Sequence, residues 1–148
     1  MGLRNFLHKM GIITSDTEVM INALSCKRQA APAAMTVSAV ITVANLLNGI
    51  ITGTHAAGGT QWYTMPTGAA IDARLTSFMI NSVSFDFSII NLSPTDGDSI
   101  TLLPNVGVTI VGNAIVNANQ WEVAYYRNTG IFRVRKTAAD TFVVYRIG

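Results

Sequence analysis

The sequence predicts an all-β domain: an antiparallel β-sandwich of jelly-roll type with one short helix, preceded by an N-terminal helical or extended arm. Three observations predict it. Apolar and polar residues alternate over residues 83–92 and again over 131–136, the pattern of strands with one buried and one wet face. Turn signals recur at roughly eight- to twelve-residue spacing, as in sandwiches and barrels. About eight to ten short strands, with a single helical stretch, fit into the residues from 36 onward.

Composition sets the outer limits. A chain of 148 residues supports one hydrophobic core. Hydrophobic residues make up 49% and charged residues 12%, the latter about half the usual share. That excludes a solvated tail and a charged coiled coil. The net charge of +2 is too small to argue for nucleic acid. A single cysteine, Cys26, allows no intrachain disulfide. Two histidines, His8 and His55, supply little for a transition-metal site. What remains is a β-branched-rich domain that either docks on a partner or covers itself with Ser, Thr and Asn.

Residues 1–35 form the expected arm. Phe6, Leu7, Met10, Ile13, Val19, Met20 and Leu24 recur at roughly helical spacing. Thr14-Ser-Asp-Thr-Glu18 resembles a helix start, with cap candidates and acids in the first turn. A helix over residues 16–25 would place Lys27 and Arg28 at its C-terminal end, where cations suit the dipole. Residues 29–34 read as a small-residue linker. The start carries no Ser/Thr at position six, so it lacks a myristoylation signal, and no early apolar run of signal-peptide type occurs. Residues 30–47 carry no charge and just reach membrane-span length. Pro32, Thr36, Ser38, Thr42 and Asn45, with a β-branched run over 36–43, favour a linker and a buried strand over a membrane helix.

The sandwich domain is expected over residues 36–148. Val37, Ala39, Ile41 and Val43 alternate in a first strand. Asn48-Gly49 and Gly58-Gly59 signal turns before strands at residues 50–52 and 61–64. Residues 69–75 form the single convincing helix. In the strand at residues 83–92, Val83, Phe85, Phe87 and Ile89 face inward, and Ser84, Asp86 and Ser88 face outward. Further strands are expected at residues 99–102, 106–111, 121–127, 131–136 and 141–147. Residues 128–130 and 138–140 read as hairpin-like turns.

Little in the sequence carries chemistry. Gly107 and Gly112 have phosphate-loop spacing, but Asn113-Ala114 follows where Lys-Ser/Thr belongs, so the segment reads as a strand ending in a turn. Asp96-Gly97-Asp98 lacks a downstream Glu ligand and reads as a polar turn, not a calcium loop. No Gly-x-Ser-x-Gly elbow occurs, and nothing in the sequence brings Cys26 near His8 or His55. No catalytic residue, cofactor or metal is therefore expected, and neither nucleic acid nor membrane as a partner.

The basic residues are unevenly spread. Arg127, Arg133, Arg135, Lys136 and Arg146 face only Asp140 near the end of the chain, for a local net charge of +4. Residues 73–126 carry −3. Strand parity places Arg133 and Arg135 on one face and Phe132 and Val134 on the other. Arg133, Arg135 and Lys136 are thus a candidate partner-binding strand, meeting an acidic region of another copy or of a different protein. The arm residues Phe6, Leu7, Met10, Ile13, Met20 and Leu24 are a second candidate partner surface.

Several phrases, in order, resemble a family of tailed-phage head decoration (cement) proteins. They are Gln61-Trp-Tyr-Thr-Met-Pro-Thr-Gly-Ala-Ala-Ile-Asp72, Val83-Ser-Phe-Asp-Phe-Ser-Ile-Ile-Asn-Leu-Ser93, Ile100-Thr-Leu-Leu-Pro-Asn-Val-Gly-Val-Thr-Ile-Val-Gly112, Phe132-Arg-Val-Arg-Lys136 and Thr141-Phe-Val-Val-Tyr145. The resemblance lies in residues 50–148. It implies a jelly-roll-like sandwich bound as a homodimer or homotrimer on the outer surface of a capsid, with the major capsid protein and sister copies as partners. A receptor- or glycan-binding module of a tail fibre or spike is the alternative, with Trp62-Tyr63 or Tyr125-Tyr126 contacting sugar.

Overall fold

The computed structural model describes residues 29–55, 59–75, 83–118 and 128–148. The chain divides into two units, Met1–Ala30 and Ala31–Gly148, and every described strand and helix belongs to the second. The expected helix at residues 16–25 and the expected strand at residues 121–127 lie outside the described residues.

Among the described residues, ten strands and two short helices follow one another. They are β1 (Ala33–Met35), β2 (Ala39–Val40), α1 (Val43–Asn48), β3 (Ile50–Gly53), β4 (Thr60–Thr64), α2 (Gly68–Arg74), β5 (Ser84–Asn91), β6 (Ser99–Leu103), β7 (Val108–Val111), β8 (Ile115–Asn117), β9 (Thr129–Ala138) and β10 (Thr141–Arg146). A six-stranded sheet has the order β1-β3-β5-β9-β10-β7, and a four-stranded sheet the order β2-β4-β6-β8.

This corrects the expected antiparallel jelly roll, and with it the fold that the resemblance implied. The protein is mixed α/β, with two sheets of largely parallel strands and two short helices among the described residues. Five neighbouring pairs are parallel (β1/β3, β3/β5, β2/β4, β4/β6 and β7/β10). Three are antiparallel (β5/β9, β9/β10 and β6/β8). The cause is the path of the chain. From β1 to β6 each strand joins the sheet that its predecessor did not. The chain therefore re-enters each sheet in the same direction, and parallel neighbours need such long crossovers. Asn48-Gly49 is not a hairpin turn but the exit from a helix into the opposite sheet.

The two helices occupy equivalent places, each between a strand of the small sheet and the next strand of the large one. Each begins at a threonine. The Thr42 hydroxyl accepts from Asn45 N–H at 3.1 Å, and Thr67 from Ala70 N–H at 3.2 Å, satisfying donors that the first turn leaves open. Gly49, at φ 86°, ends α1 and donates to the Leu46 carbonyl, the left-handed closure that glycine adopts without penalty. Residues 43–48 were expected as strand and turn; the threonine cap and the glycine stop override the β-branched run before them. Residues 33–35, expected within the arm, pair with β3 as β1.

One core lies between the sheets. Ile51, Phe87, Ile89, Phe132, Val134, Phe142 and Val144 face it from the large sheet, and Tyr63, Ile100, Leu102 and Val116 from the small one. Leu46 of α1 and Ile71 of α2 close it. Arg146 braces the two sheets. Its guanidinium donates to the carbonyls of Ile115 in β8 and Thr129 in β9, and lies 5.1 Å from the centre of the Phe132 ring. Burial pushes its pKa down, as expected for a partly desolvated cation.

Candidate functional site

The outward face of the four-stranded sheet is built from alternate residues. Parity and register place Val40, Thr64 and Leu103 in one row, Trp62, Thr101 and Ile115 in the next, and Thr60, Ser99 and Asn117 in the third. Their neighbours Gln61, Tyr63, Ile100, Leu102 and Val116 point inward and are buried. Trp62 is 51% exposed, with Val40 and Ile115 also largely in solvent. The Thr60 and Ser99 hydroxyls lie 3.0 Å apart, and the Ser38 hydroxyl accepts from Trp62 N–H at 3.0 Å. None of these nine residues carries a charge.

The opposite outward face belongs to the six-stranded sheet and is different in kind. Asp86, Arg133, Tyr145 and Val111 run across it in register, beside the row Ser84, Arg135, Val143 and Thr109. Ile131, Ile147 and Val111 are exposed here. Arg133 grips Asp86 with two hydrogen bonds of 2.7 and 2.8 Å, and those bonds raise its pKa. Arg135 is exposed on the same face. Lys136 is not. It lies on the core-facing side with Phe132 and Val134, is buried, and its Nζ meets the Asp72 carboxylate of α2. Of the three basic residues singled out from sequence, one is paired in place, one is buried, and Arg135 alone has no ion pair among the described residues.

A third feature is a buried polar corner where strand ends meet. The Ser93 hydroxyl donates to Asp98 Oδ2, and Gly59 N–H donates to Asp98 Oδ1. Asn91 donates to the Val116 carbonyl at 3.1 Å and accepts from Ser93 N–H at 3.0 Å. His55 Nδ1 stands 3.8 Å from Asp98 Oδ2, outside hydrogen-bond range. Its side chain is 0% exposed, and neither ring nitrogen has a hydrogen-bond partner among the described residues. This is no hydrolytic triad. The carboxylate sits between hydroxyl and imidazole, whereas nucleophile activation needs the imidazole on the hydroxyl. Among the described residues no three His, Cys, Asp or Glu side chains gather as metal ligands.

The corner predicts acid sensitivity. The Ser93 hydroxyl chiefly, with Gly59 N–H adding to it against the cost of burial, holds the Asp98 carboxyl below its ordinary value of 3.8. Asp140 N–H and Lys136 do the same for Asp72. A depressed folded pKa contributes stability above the unfolded value and loses it as pH falls through the folded one. The urea midpoint should therefore hold steady near neutrality and fall once pH drops below about 4. Asp98→Asn should lower the neutral plateau and flatten that acid limb; an unchanged limb would show that Asp98 is not the group responsible.

No protein family, curated protein or solved structure matches the chain. The arm residues Phe6, Leu7, Met10, Ile13, Met20 and Leu24 lie outside the described residues, as do His8, Cys26, Tyr125 and Tyr126. Tyr63 is buried, its hydroxyl donating to the Met35 carbonyl, so of the first aromatic pair only Trp62 reaches solvent. Gly107 and Gly112 flank β7, a strand closing in a turn. Sequence reasoning missed the uncharged face as a unit. Alternation within each strand signals it, but only the register between strands, parallel for β2/β4 and β4/β6 and antiparallel for β6/β8, sets the three rows side by side.

Proposed function

We propose that the chain is a structural virion protein, a cement or decoration protein that reinforces a phage head from outside by binding the major capsid protein and sister copies. The observation that carries this reading is the pair of outward faces. Both sides of one core expose large apolar side chains: Val40, Trp62 and Ile115 on one sheet, Ile131, Val111 and Ile147 on the other. A module that bridges neighbours needs two sticky sides, and exposed apolar patches mark interaction sites. A surface poor in charge buries large areas without stranding ions. The six apolar arm residues would add reach to that clasp. The reading does not draw on the jelly roll; it needs only a rigid body with opposed contact faces.

The test is electron microscopy of heads assembled with and without the chain. The expected result is extra density on the outer shell at a copy number fixed by the icosahedral lattice, with heads lacking it rupturing at lower temperature. Heads indistinguishable in both respects would overturn the reading. One observation favours the glycan-binding alternative: Trp62 stands among hydroxyls, and an aromatic platform ringed by polar groups suits a sugar. Saturable glycan-array binding that Trp62→Ala abolishes, with no copies on the shell, would favour that reading instead.

A further inference from the structure

We infer that the outward face of the four-stranded sheet docks against the same face of a second copy of this chain, leaving the six-stranded face for a partner of different chemistry. The inference rests on the bridging reading above and says which side meets which neighbour.

Charge complementarity separates the two faces. In a two-fold interface the same patch comes from both partners, so side chains near the axis meet copies of themselves. A charge placed there meets its like. The six-stranded face carries Arg133, Arg135 and Asp86, and pairing it with itself brings arginine toward arginine unless the register avoids this. The four-stranded face has no such obstacle. Val40, Trp62, Leu103 and Ile115 are apolar, apart from the indole N–H. Thr60, Thr64, Ser99, Thr101 and Asn117 each offer both donor and acceptor. A hydroxyl satisfies another hydroxyl, as Thr60 and Ser99 already do within one copy. A face composed this way is complementary to itself. An ionic partner placed on it would bury charges without counter-charges, at a cost that an uncharged partner avoids.

Trp62 stands in the middle row of the face, beside Thr101 and Ile115. Large aromatics near the centre of an interface carry a disproportionate share of binding. The six-stranded face, with Arg135 free of any described ion pair, suits a partner that supplies carboxylates.

The experiment is sedimentation equilibrium of the full chain and of Trp62→Lys, Ile115→Lys and Arg135→Glu, with circular dichroism to confirm the fold of each. The wild-type chain and Arg135→Glu should be dimeric. Trp62→Lys, which places like charges near the axis, should raise the dissociation constant about 30-fold or more. Ile115→Lys serves the same purpose should the first variant fail to fold. A wild-type chain that stays monomeric across the concentration range overturns the inference, as does a dimer that both lysine variants leave intact. Dimers that never bind heads would sink the cement reading and leave this one standing; monomers that do bind heads would do the reverse.

Discussion

Replacing Gly68 with alanine should cost the body about 3 kcal/mol, the upper end for overpacking a tight site. Gly68 opens α2, where three backbone segments meet. A Cβ there would lie 1.9 Å from the Asp140 carbonyl oxygen and 2.9 Å from that of Gly107. Gly68 N–H donates to the Val106 carbonyl at 2.8 Å, and the Gly107 carbonyl accepts from Phe142 N–H at 2.8 Å. All the crowding atoms are main chain, so no side chain can swing aside. The same junction holds the Asp72 carboxylate, which accepts from Asp140 N–H at 2.9 Å and meets Lys136. Gly97 provides the control. It has a φ of 85° but no atom within 4 Å of an added Cβ, so Gly97→Ala should cost only the left-handed penalty of about 1–2 kcal/mol. Urea denaturation of the two variants separates a steric cost from a conformational one. Equal losses would mean that the junction relaxes freely.

Phe132→Ala should be at least as damaging, at about 3–5 kcal/mol for an aromatic removed from a packed core. Phe132 is fully buried and stacks on Phe87 with centroids 5.3 Å apart and planes 20° from parallel. The ring also underlies the Arg146 guanidinium that braces the sheets, so its loss leaves a cavity and loosens the brace together. Against a typical total stability of about 5–15 kcal/mol, that brings the body near its unfolding threshold. Phe132→Leu should retain most of the stability. A loss below about 1 kcal/mol for the alanine variant, read from the urea midpoint, would show that the cavity collapses.

Facing was legible in the sequence; pairing was not. Alternation alone places Phe87 and Ile89 inward and Ser84 and Asp86 outward, as found. It also separates Arg133 and Arg135 from Phe132 and Val134. The same parity turns Lys136 inward, a consequence hidden by grouping three cations by proximity, and its counter-ion Asp72 lies 64 residues away in sequence. The helix expected at residues 69–75 lies within one residue of α2, because Thr67 caps it and the strand pattern has already stopped. Strand direction is another matter. A period of two reports which side of a sheet a residue occupies, and nothing about whether its neighbour runs the same way. Of the two turns read as hairpin-like, residues 138–140 do join β9 and β10 in a short antiparallel hairpin, while the strand expected before residues 128–130 lies outside the described residues. Asn48-Gly49, read as a turn between strands, instead follows a helix. The Trp62–Tyr63 pair shows the limit at one site: alternation says that one ring is buried and one exposed, and only the hydroxyl's partner at Met35 decides which.

The interleaved path of the chain has a consequence for how the molecule is made. β5 has β3 on one edge but waits for β9 on the other, and β7 waits for β10, so the six-stranded sheet is joined only by the β9–β10 hairpin. Such non-local pairing is slow to nucleate. Without that hairpin β1-β3-β5 and β7 have no strand between them, so it is the latch of the larger sheet, and a cut between β8 and β9 should leave that sheet open.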